Sequence, residues 1–308
     1  MRIPRPMRAY DFRRVDVFAA RPLEGNPLAV FPHPQGLTDA EMLAITREMN
    51  ISETTFVLPP RASGADYWNR IFTPGGELPF AGHPSLGTAY VAATEGIVRV
   101  REGKSTIHQE VGIGVLPLEL EVRDGSVERV IMTQGESKLG PRLGDVGPLA
   151  KALGVRARDI TGTNLRPQIA STGIPSLQVP IHDLDLVREM EPDFPALGRV
   201  LARFRGNPGA YVFAFGAEGR ADLHARGFFP GFGIPEDPAT GSAAGACGAY
   251  LAANRRLPPK DWFVIEQGSE VHHPSRIEVA VQTERNRPKD VRVAGKVVPV
   301  MRGTLTLV

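Results

Sequence analysis

The sequence predicts an α+β protein of two similar domains, each containing a curved and mostly antiparallel sheet. Three observations lead to this prediction: an internal repeat, a series of short strands joined by tight turns, and a length of 308 residues, which favours two domains over one. The repeat carries the most weight, because a duplicated segment implies a duplicated fold.

The internal repeat relates the stretch 72–93 to the stretch 228–253. Each stretch runs from an extended segment through a loop rich in Gly and Pro into a helix of small residues. At an offset of 156 (222 minus 66), five residues before the loops recur: Asp66, Arg70, Phe72, Pro74 and Gly75 match Asp222, Arg226, Phe228, Pro230 and Gly231. Chance similarity between Ala-rich helices would explain AYVAA and AYLAA, but not these five matches. We therefore interpret the two stretches as a duplication.

The first half is predicted to consist of short strands and two helices. Thr38 and Glu41 form a capping box that starts the first helix, and Asn50 suits a left-handed position at its end. Tight turns such as Asp124-Gly125 indicate an antiparallel, strongly curved sheet. The predicted strands are 10–18, 28–31, 51–58, 66–72, 97–101, 106–111, 115–122 and 127–133.

The second half is predicted to repeat this order. A short helix covers 145–153, and a second helix begins at Asp193 with Leu197, Val200 and Leu201 on one face. The predicted strands are 177–181, 209–215, 222–229, 262–267, 277–281, 291–298 and 304–308. We place the N-terminal domain at 8–138, completed by the strand 300–308, and the C-terminal domain at 139–299. The boundary falls in the predicted loop 134–143.

Composition excludes several classes of function. The 36 Lys and Arg residues are scattered rather than clustered in a stripe, so no nucleic-acid partner is expected. No run of 18 apolar residues exists, so no membrane partner is expected. The first residues lack the apolar core of a secretory signal, and we expect a cytoplasmic protein. The single cysteine, Cys247, excludes an internal disulfide and is interpreted as a small core residue.

Glu53 is the first candidate for chemistry. In an extended strand it shares one face with Ile51, Thr55 and Val57. A carboxylate among apolar neighbours is costly to bury without a partner. The pattern leaves two readings open: a solvated face, or a buried carboxyl kept for function.

The two repeated loops lead into helix starts that can bind an anion. The first start is Gly82–Pro84, which contains His83, and the second is Thr240–Ser242, which follows Asp237. Unpaired N–H groups and the helix dipole attract negative charge at such starts, although simple capping is the alternative. If the halves are duplicates, the two starts are expected to face each other across a cleft that holds a small carboxylate substrate.

Other patterns predict no cofactor or metal. GIGVLP at 112–117 lacks the third Gly of a dinucleotide fingerprint, and GSAAGACG at 241–248 lacks the Lys of a P-loop. His272-His273 has no acidic or Cys partner at a ligand spacing, so we interpret it as a loop pair and expect no metal site.

Together these motifs resemble the phenazine-biosynthesis PhzF-like family, which belongs to the diaminopimelate-epimerase fold superfamily. The stretches that carry the resemblance are VDVFAARPLEGNPLAVF (15–31), TREMNISETTFV (46–57), IFTPGGELPFAGHPSLGTA (71–89), GIPEDPATGSAAG (233–245) and QGSEVHHPSRIEV (267–279). The resemblance covers nearly the whole chain. It implies two pseudo-symmetric domains, each a sheet wrapped round a central helix, with the active site between them. It also implies a homodimer and isomerase chemistry without a cofactor.

The resemblance also implies roles for particular residues. Glu53 matches the acid/base carboxylate of the family, and His83 and Asp237 are expected to act with it in catalysis. Gly82, Gly241 and Ser242 are expected to bind the substrate. Epimerases of the superfamily carry a cysteine at each helix start, whereas this sequence carries none there, so a two-thiol racemase is not expected.

The sequence therefore predicts an isomerase that moves a proton within a small carboxylic acid. The resemblance ranks trans-2,3-dihydro-3-hydroxyanthranilate, on the route to phenazines, as the first substrate. One alternative is isomerisation or epimerisation of another small amino or hydroxy acid, because His272-His273 replaces the Gly-Arg usual in the family. A second alternative is a protein that binds a small acid without catalysis.

Overall fold

A computed structural model of the protein describes residues 7–216, 221–285 and 287–307. The chain forms two compact units. The first, called here the N-terminal unit, contains the chain up to Met132 together with the segment from Gly295 onward. The second, called here the C-terminal unit, is Thr133–Ala294.

The described residues form eighteen strands and seven α-helices. The strands are β1 (Arg8–Val17), β2 (Asn26–Phe31), β3 (Glu53–Leu58), β4 (Tyr67–Thr73), β5 (Gly76–Leu78), β6 (Gly103–Val111), β7 (Gly114–Arg123), β8 (Ser126–Thr133), β9 (Lys138–Arg142), β10 (Gln168–Ser171), β11 (Pro175–Pro180), β12 (Gly209–Phe215), β13 (Leu223–Phe229), β14 (Ile234–Asp237), β15 (Phe263–Gln267), β16 (Ser275–Glu284), β17 (Arg287–Gly295) and β18 (Val297–Leu307). The helices are α1 (Asp39–Met49), α2 (Gly82–Thr94), α3 (Gly147–Leu153), α4 (Ala157–Thr161), α5 (Leu184–Glu189), α6 (Phe194–Leu201) and α7 (Gly241–Ala253).

In the N-terminal unit a mixed sheet wraps round α2. Its strands pair in the order β18, β1, β2, β3, β4, β6, β7 and β8, and only the pairs β2–β3 and β4–β6 are parallel. Helix α2 packs closely because Gly87 has no side chain: a Cβ there would lie 2.6 Å from Leu28 Cδ2. The hydroxyls of Thr55 and Thr88 meet at 2.8 Å between sheet and helix. Helix α2 begins with Gly82 and His83, two of the predicted site residues.

Helix α1 covers the opposite face of the same sheet. Met42 and Ile45 pack with Phe31, Phe56 and other aromatic residues of the strands. The predicted capping box at Thr38 and Glu41 is confirmed, and so is the left-handed Asn50, whose φ is 50°. The helix therefore begins and ends where its sequence signals lie.

The C-terminal unit has the same plan around α7. Its strands pair in the order β9, β10, β11, β12, β13, β15, β16 and β17, with β14 beside β13, and the pairs β11–β12 and β13–β15 are parallel. Helices α3 to α6 pack their apolar faces against β11 and β12 on the outside. Gly248 lets α7 approach the sheet, since a Cβ there would lie 2.8 Å from Val279 Cγ1.

The duplication extends to individual contacts. In the N-terminal unit the Asp66 N–H donates to His108 O at 2.8 Å, and the His108 N–H donates to the Asp66 carboxylate at 2.7 Å. In the C-terminal unit Asp222 and Val264 exchange the same two hydrogen bonds at 2.9 and 3.0 Å. Both aspartates precede the repeated strand, β4 or β13. The sequence repeat therefore corresponds to the same pair of hydrogen bonds in each unit.

Two strand predictions are wrong. The segment 97–101 is not a strand, because the N–H groups of Ile97 and Val98 both donate to Ala92 O and close the end of α2. The predicted strand 291–298 is divided between β17 and β18, which are separated at Lys296. The predicted strand 304–308 is not separate but continues β18, and its last residue, Val308, lies outside the described residues. The predicted boundary loop 134–143 contains β9. No helix among the described residues is long and apolar enough to cross a membrane.

Candidate active site

Glu53 is the first residue of β3, and its side chain is only 12% exposed. Thr55 and Val57, on the same face of the strand, are fully buried against the core. The reading of this face as solvated is therefore wrong. Burial therefore places a carboxyl group inside the N-terminal unit, at the start of a strand that lies between β2 and β4.

Burial changes the chemistry of this carboxyl group. It raises the pKa of Glu53, while a hydrogen bond with Ser52 acts in the opposite direction. Oxygen Oε2 is buried and accepts no hydrogen bond from the described residues. A carboxyl that holds its proton more tightly than usual has a pKa closer to neutral pH, which suits a general acid and base.

His83 lies next to this carboxyl group. It is the second residue of α2, its side chain is 8% exposed, and Nε2 is 3.6 Å from Glu53 Oε2. That distance is too long for a direct hydrogen bond, but it places the imidazole ring beside the carboxyl group. The helix starts at Gly82, and the N-cap residue Ala81 supplies no side-chain cap. Glu53, Gly82 and His83 come from two separate sequence motifs and were all predicted to belong to the site. The N-terminal unit brings these three residues together.

The C-terminal unit brings together the other three predicted residues. Asp237 ends β14, and Gly241 and Ser242 are the first residues of α7. The Thr240 hydroxyl donates to Asp237 Oδ2 at 2.5 Å, so it does not cap the helix that it precedes. The N–H groups of the first turn of α7 are consequently suited to an external anion.

The duplicated units differ at the position of the acid/base candidate. The register pairs Thr54 with Phe72 and Ala210 with Phe228, so Glu53 corresponds to Gly209. A Cβ at Gly209 would lie 2.0 Å from the Phe229 ring, which fills the space. The C-terminal unit therefore has no carboxyl group equivalent to Glu53.

Two further residues singled out from the sequence are Cys247 and His272. Cys247 is completely buried in α7, and burial raises the pKa of its thiol, which confirms the interpretation as a core residue. His272 has a left-handed backbone, with φ at 61°, at the end of a 3-10 turn. Within the described residues, no three His, Cys, Asp or Glu side chains are grouped as metal ligands.

The family model described as phenazine biosynthesis-like protein matches residues 15–303. The chain belongs to this family. A trans-2,3-dihydro-3-hydroxyanthranilate isomerase of Pseudomonas fluorescens is 36% identical over 298 residues, covering 97% of this chain and 100% of the relative. An uncharacterized isomerase of Clostridium acetobutylicum is 33% identical over 308 residues, covering 98% and 99%.

Solved structures agree with the family assignment. The phenazine biosynthesis protein of the PhzF family from Bacillus anthracis matches with a TM-score of 0.86 and 28% identity, covering 98% of this chain and 100% of that one. The predicted α+β fold of the diaminopimelate-epimerase type is confirmed. The predicted class of enzyme, an isomerase of the PhzF-like family, is confirmed as well.

Sequence reasoning missed Gln267, which contacts the Asp237 loop from the end of β15. Its amide bonds to both Asp237 and Thr240. The only signal was its place in the QG stretch that resembles the phenazine biosynthesis-like family, because a Gln after a strand has no chemical signature of its own.

The turn after Gln267 is fixed by a buried histidine. His224 Nε2 is 2.7 Å from Glu270 Oε1, and Nδ1 is 3.5 Å from Glu266 Oε2, which also faces Arg276. Burial is the largest single influence and acts to lower the pKa of His224. The carboxylates of Glu266 and Glu270 together outweigh burial, and the pKa is raised to about 9.

This raised pKa predicts a pH-dependent stability. A histidine with a folded pKa above its unfolded value stabilises the fold fully below about pH 6.5, and the contribution is lost as pH rises through 9. We expect His224→Gln to lower the free energy of unfolding by about 2–3 kcal/mol at pH 6 and by much less at pH 9.5. Urea unfolding at both pH values measures this. His108→Gln, at a histidine that is 45% exposed, is the control, and an equal loss at both pH values would contradict the prediction.

Proposed function

We propose that this isomerase moves a proton between two carbon atoms of trans-2,3-dihydro-3-hydroxyanthranilate, with Glu53 as both acid and base. The observation that carries the proposal is a buried carboxyl group with a raised pKa, 3.6 Å from His83 at the start of a buried helix. The 36% identity to isomerases of this name supports the choice of substrate. We also propose that the enzyme acts as a homodimer, as the family resemblance implies.

The proposed reaction needs one carboxyl group. Ionised Glu53 takes a proton from one carbon and becomes neutral, which is the form that its buried setting favours. The same proton, or an equivalent one, is then returned to a different carbon, so the product is an isomer and no oxidant is consumed. General acid–base catalysis of this kind contributes about 10²–10⁴-fold to the rate.

The other predicted residues hold the substrate in this proposal. His83 orients the substrate and the Glu53 carboxyl. The helix start at Gly241 and Ser242 supplies backbone N–H groups for the substrate carboxylate, and Gly82 also binds the substrate, as the family resemblance implies. Asp237, fixed by the Thr240 hydroxyl, accepts a hydrogen bond from the substrate amino or hydroxyl group.

The direct test mixes the purified protein with this acid and follows loss of substrate absorbance and formation of condensed tricyclic product. The same reaction in deuterium oxide should place deuterium on a carbon of the product. A flat trace from folded protein would rule out this substrate.

A second candidate is an isomerase of another small amino or hydroxy acid. It is favoured by His272-His273 in the turn after Gln267 and by relatives named only as uncharacterized isomerases. Deuterium incorporation into one member of a panel of such acids would identify it. Tight binding of an acid without any incorporation would instead support a binding protein that lacks catalysis.

A further inference from the structure

We propose that Gln267 is a positioning residue that holds Asp237 and the first turn of α7 in place through Thr240. The inference rests on the role proposed above for Asp237. It concerns a residue on a different strand, β15, that bonds to Asp237 and Thr240.

The side chain of Gln267 binds both ends of the segment 237–240. Its Oε1 accepts the Thr240 N–H at 3.2 Å, and its Nε2 donates to Asp237 O at 2.7 Å and to Thr240 Oγ1 at 3.1 Å. Gln267 is completely buried, so water does not compete for these bonds. We call this set of three hydrogen bonds the Gln267 clamp.

The Gln267 clamp also fixes the direction of a hydrogen bond to Asp237. Nitrogen Nε2 can only donate, so Thr240 Oγ1 accepts from it and sends its own hydrogen to Asp237 Oδ2 at 2.5 Å. The flipped amide would set Nε2 against the Thr240 N–H, which is a second donor, and is excluded. Asp237 therefore receives a charge-assisted hydrogen bond that holds its carboxylate in one orientation.

Two glycines make room for the Gln267 clamp. A Cβ at Gly227 would lie 3.0 Å from both Gln267 Nε2 and Thr240 Oγ1. Gly268 has a φ of 86°, and a Cβ there would lie 2.4 Å from Pro238 O. A side chain at Gly227 would therefore displace the Gln267 clamp, and a side chain at Gly268 would displace the segment 237–240.

The kinetic test compares two buried glutamines. Gln267→Met removes the three bonds and keeps the volume, and we expect kcat/KM for trans-2,3-dihydro-3-hydroxyanthranilate to fall about 10²-fold, as a small misplacement of a binding group does. Gln109→Met is the matched control, because Gln109 is equally buried but bonds to Asn69 on β4. We expect the control to keep wild-type kcat/KM.

A double-mutant cycle separates positioning from a general loss of packing. If Gln267 acts through Thr240, then Thr240→Val lowers kcat/KM in the wild-type background and adds little in the Gln267→Met background. Thr240→Ser, which keeps the hydroxyl, should recover most of the loss seen with Thr240→Val. If the double variant loses kcat/KM by the product of the two single-variant losses, the residues act independently and the proposal is overturned.

Hydrogen exchange tests the Gln267 clamp without any substrate. The Thr240 amide should exchange at least about tenfold faster in Gln267→Met than in the wild type or in Gln109→Met, because a buried hydrogen bond is lost. Unchanged exchange overturns the clamp, whatever the substrate. Faster exchange with wild-type kcat/KM overturns the positioning role and leaves the proposed function standing. If the wild-type protein does not convert the acid, the substrate proposal fails, and faster exchange still supports the clamp.

Discussion

Glu53→Gln is expected to lower turnover by about 10²–10⁴-fold while the protein stays folded. Glutamine keeps the size of the side chain but cannot accept and return a proton. The substrate should still bind, because the groups proposed to hold it are unchanged, so kcat falls and the dissociation constant does not. Single-turnover kinetics and calorimetric titration with substrate measure the two effects separately. Full activity in this variant would rule out Glu53 as the acid and base.

The stability of the same variant follows from the sign of the pKa shift. The pKa of Glu53 is raised in the fold, so its contribution to stability is present below the ordinary value of about 4.5 and is lost as pH rises through the folded value. Above the folded pKa the ionised carboxyl is a cost to the fold, so the stability of Glu53→Gln should rise relative to the wild type as pH rises through that value.

Glu110 supplies the matched control for this variant. It is also buried, and burial acts to raise its pKa, but the Ala62 and Arg61 backbone N–H groups and the Arg61 side chain outweigh burial and lower the pKa. Its contribution to stability is present above its ordinary value and is lost as pH falls through the folded value. Glu110→Gln is therefore expected to lose stability at pH 8 and to keep turnover. The reverse result for the two variants would contradict both assignments.

The pH profile gives an independent check on Glu53. The base must be ionised before it takes a proton, so the acidic limb of kcat/KM should have an apparent pKa above the ordinary 4.5 of glutamate. A limb at or below that value would show that a different group takes the proton.

The sequence predicted the plan of the fold because the signals are local. A capping box, a left-handed Asn50 and the residues shared by two lead-in strands act within a few positions, and each is present in the structure. The failure at 97–101 has the same origin. Its apolar residues suit a strand, but Ile97 and Val98 bond to the end of α2 instead.

The candidate site was only partly predictable. Alternation in β3 shows that Glu53 and Thr55 share a face, but it does not show which face is buried, and that depends on α2 packing against Thr55. The role of Gln267 could not be predicted from the sequence for a related reason. Its bonds join the end of β15 to a segment about thirty residues earlier, a pairing that only the folded C-terminal unit creates.

Arg226→Met is expected to cost about 3–5 kcal/mol of unfolding free energy in the C-terminal unit. Arg226 binds Glu236 through two hydrogen bonds of 2.8 and 2.7 Å and donates to Met190 O at 2.7 Å. The side chains of Arg226 and Glu236 are 7% and 9% exposed. The variant therefore leaves a carboxylate buried without its cation, which is the costly way to break an ion pair.

The repeat provides a comparison within the same molecule. Arg70 binds Glu77 through the same two-bond geometry, at 2.8 and 2.6 Å, but Glu77 is 41% exposed and water can solvate it once the partner is gone. Arg70→Met should therefore cost about 1 kcal/mol of unfolding free energy.

Trp68 and Trp262 lie one in each unit, so urea unfolding followed in single-tryptophan variants reports on each unit. Arg226→Met combined with Glu236→Leu should recover much of the loss, because an apolar pair of similar volume replaces a buried ion pair at little cost. Equal losses at Arg70 and Arg226 would mean that burial of the carboxylate partner does not set the cost.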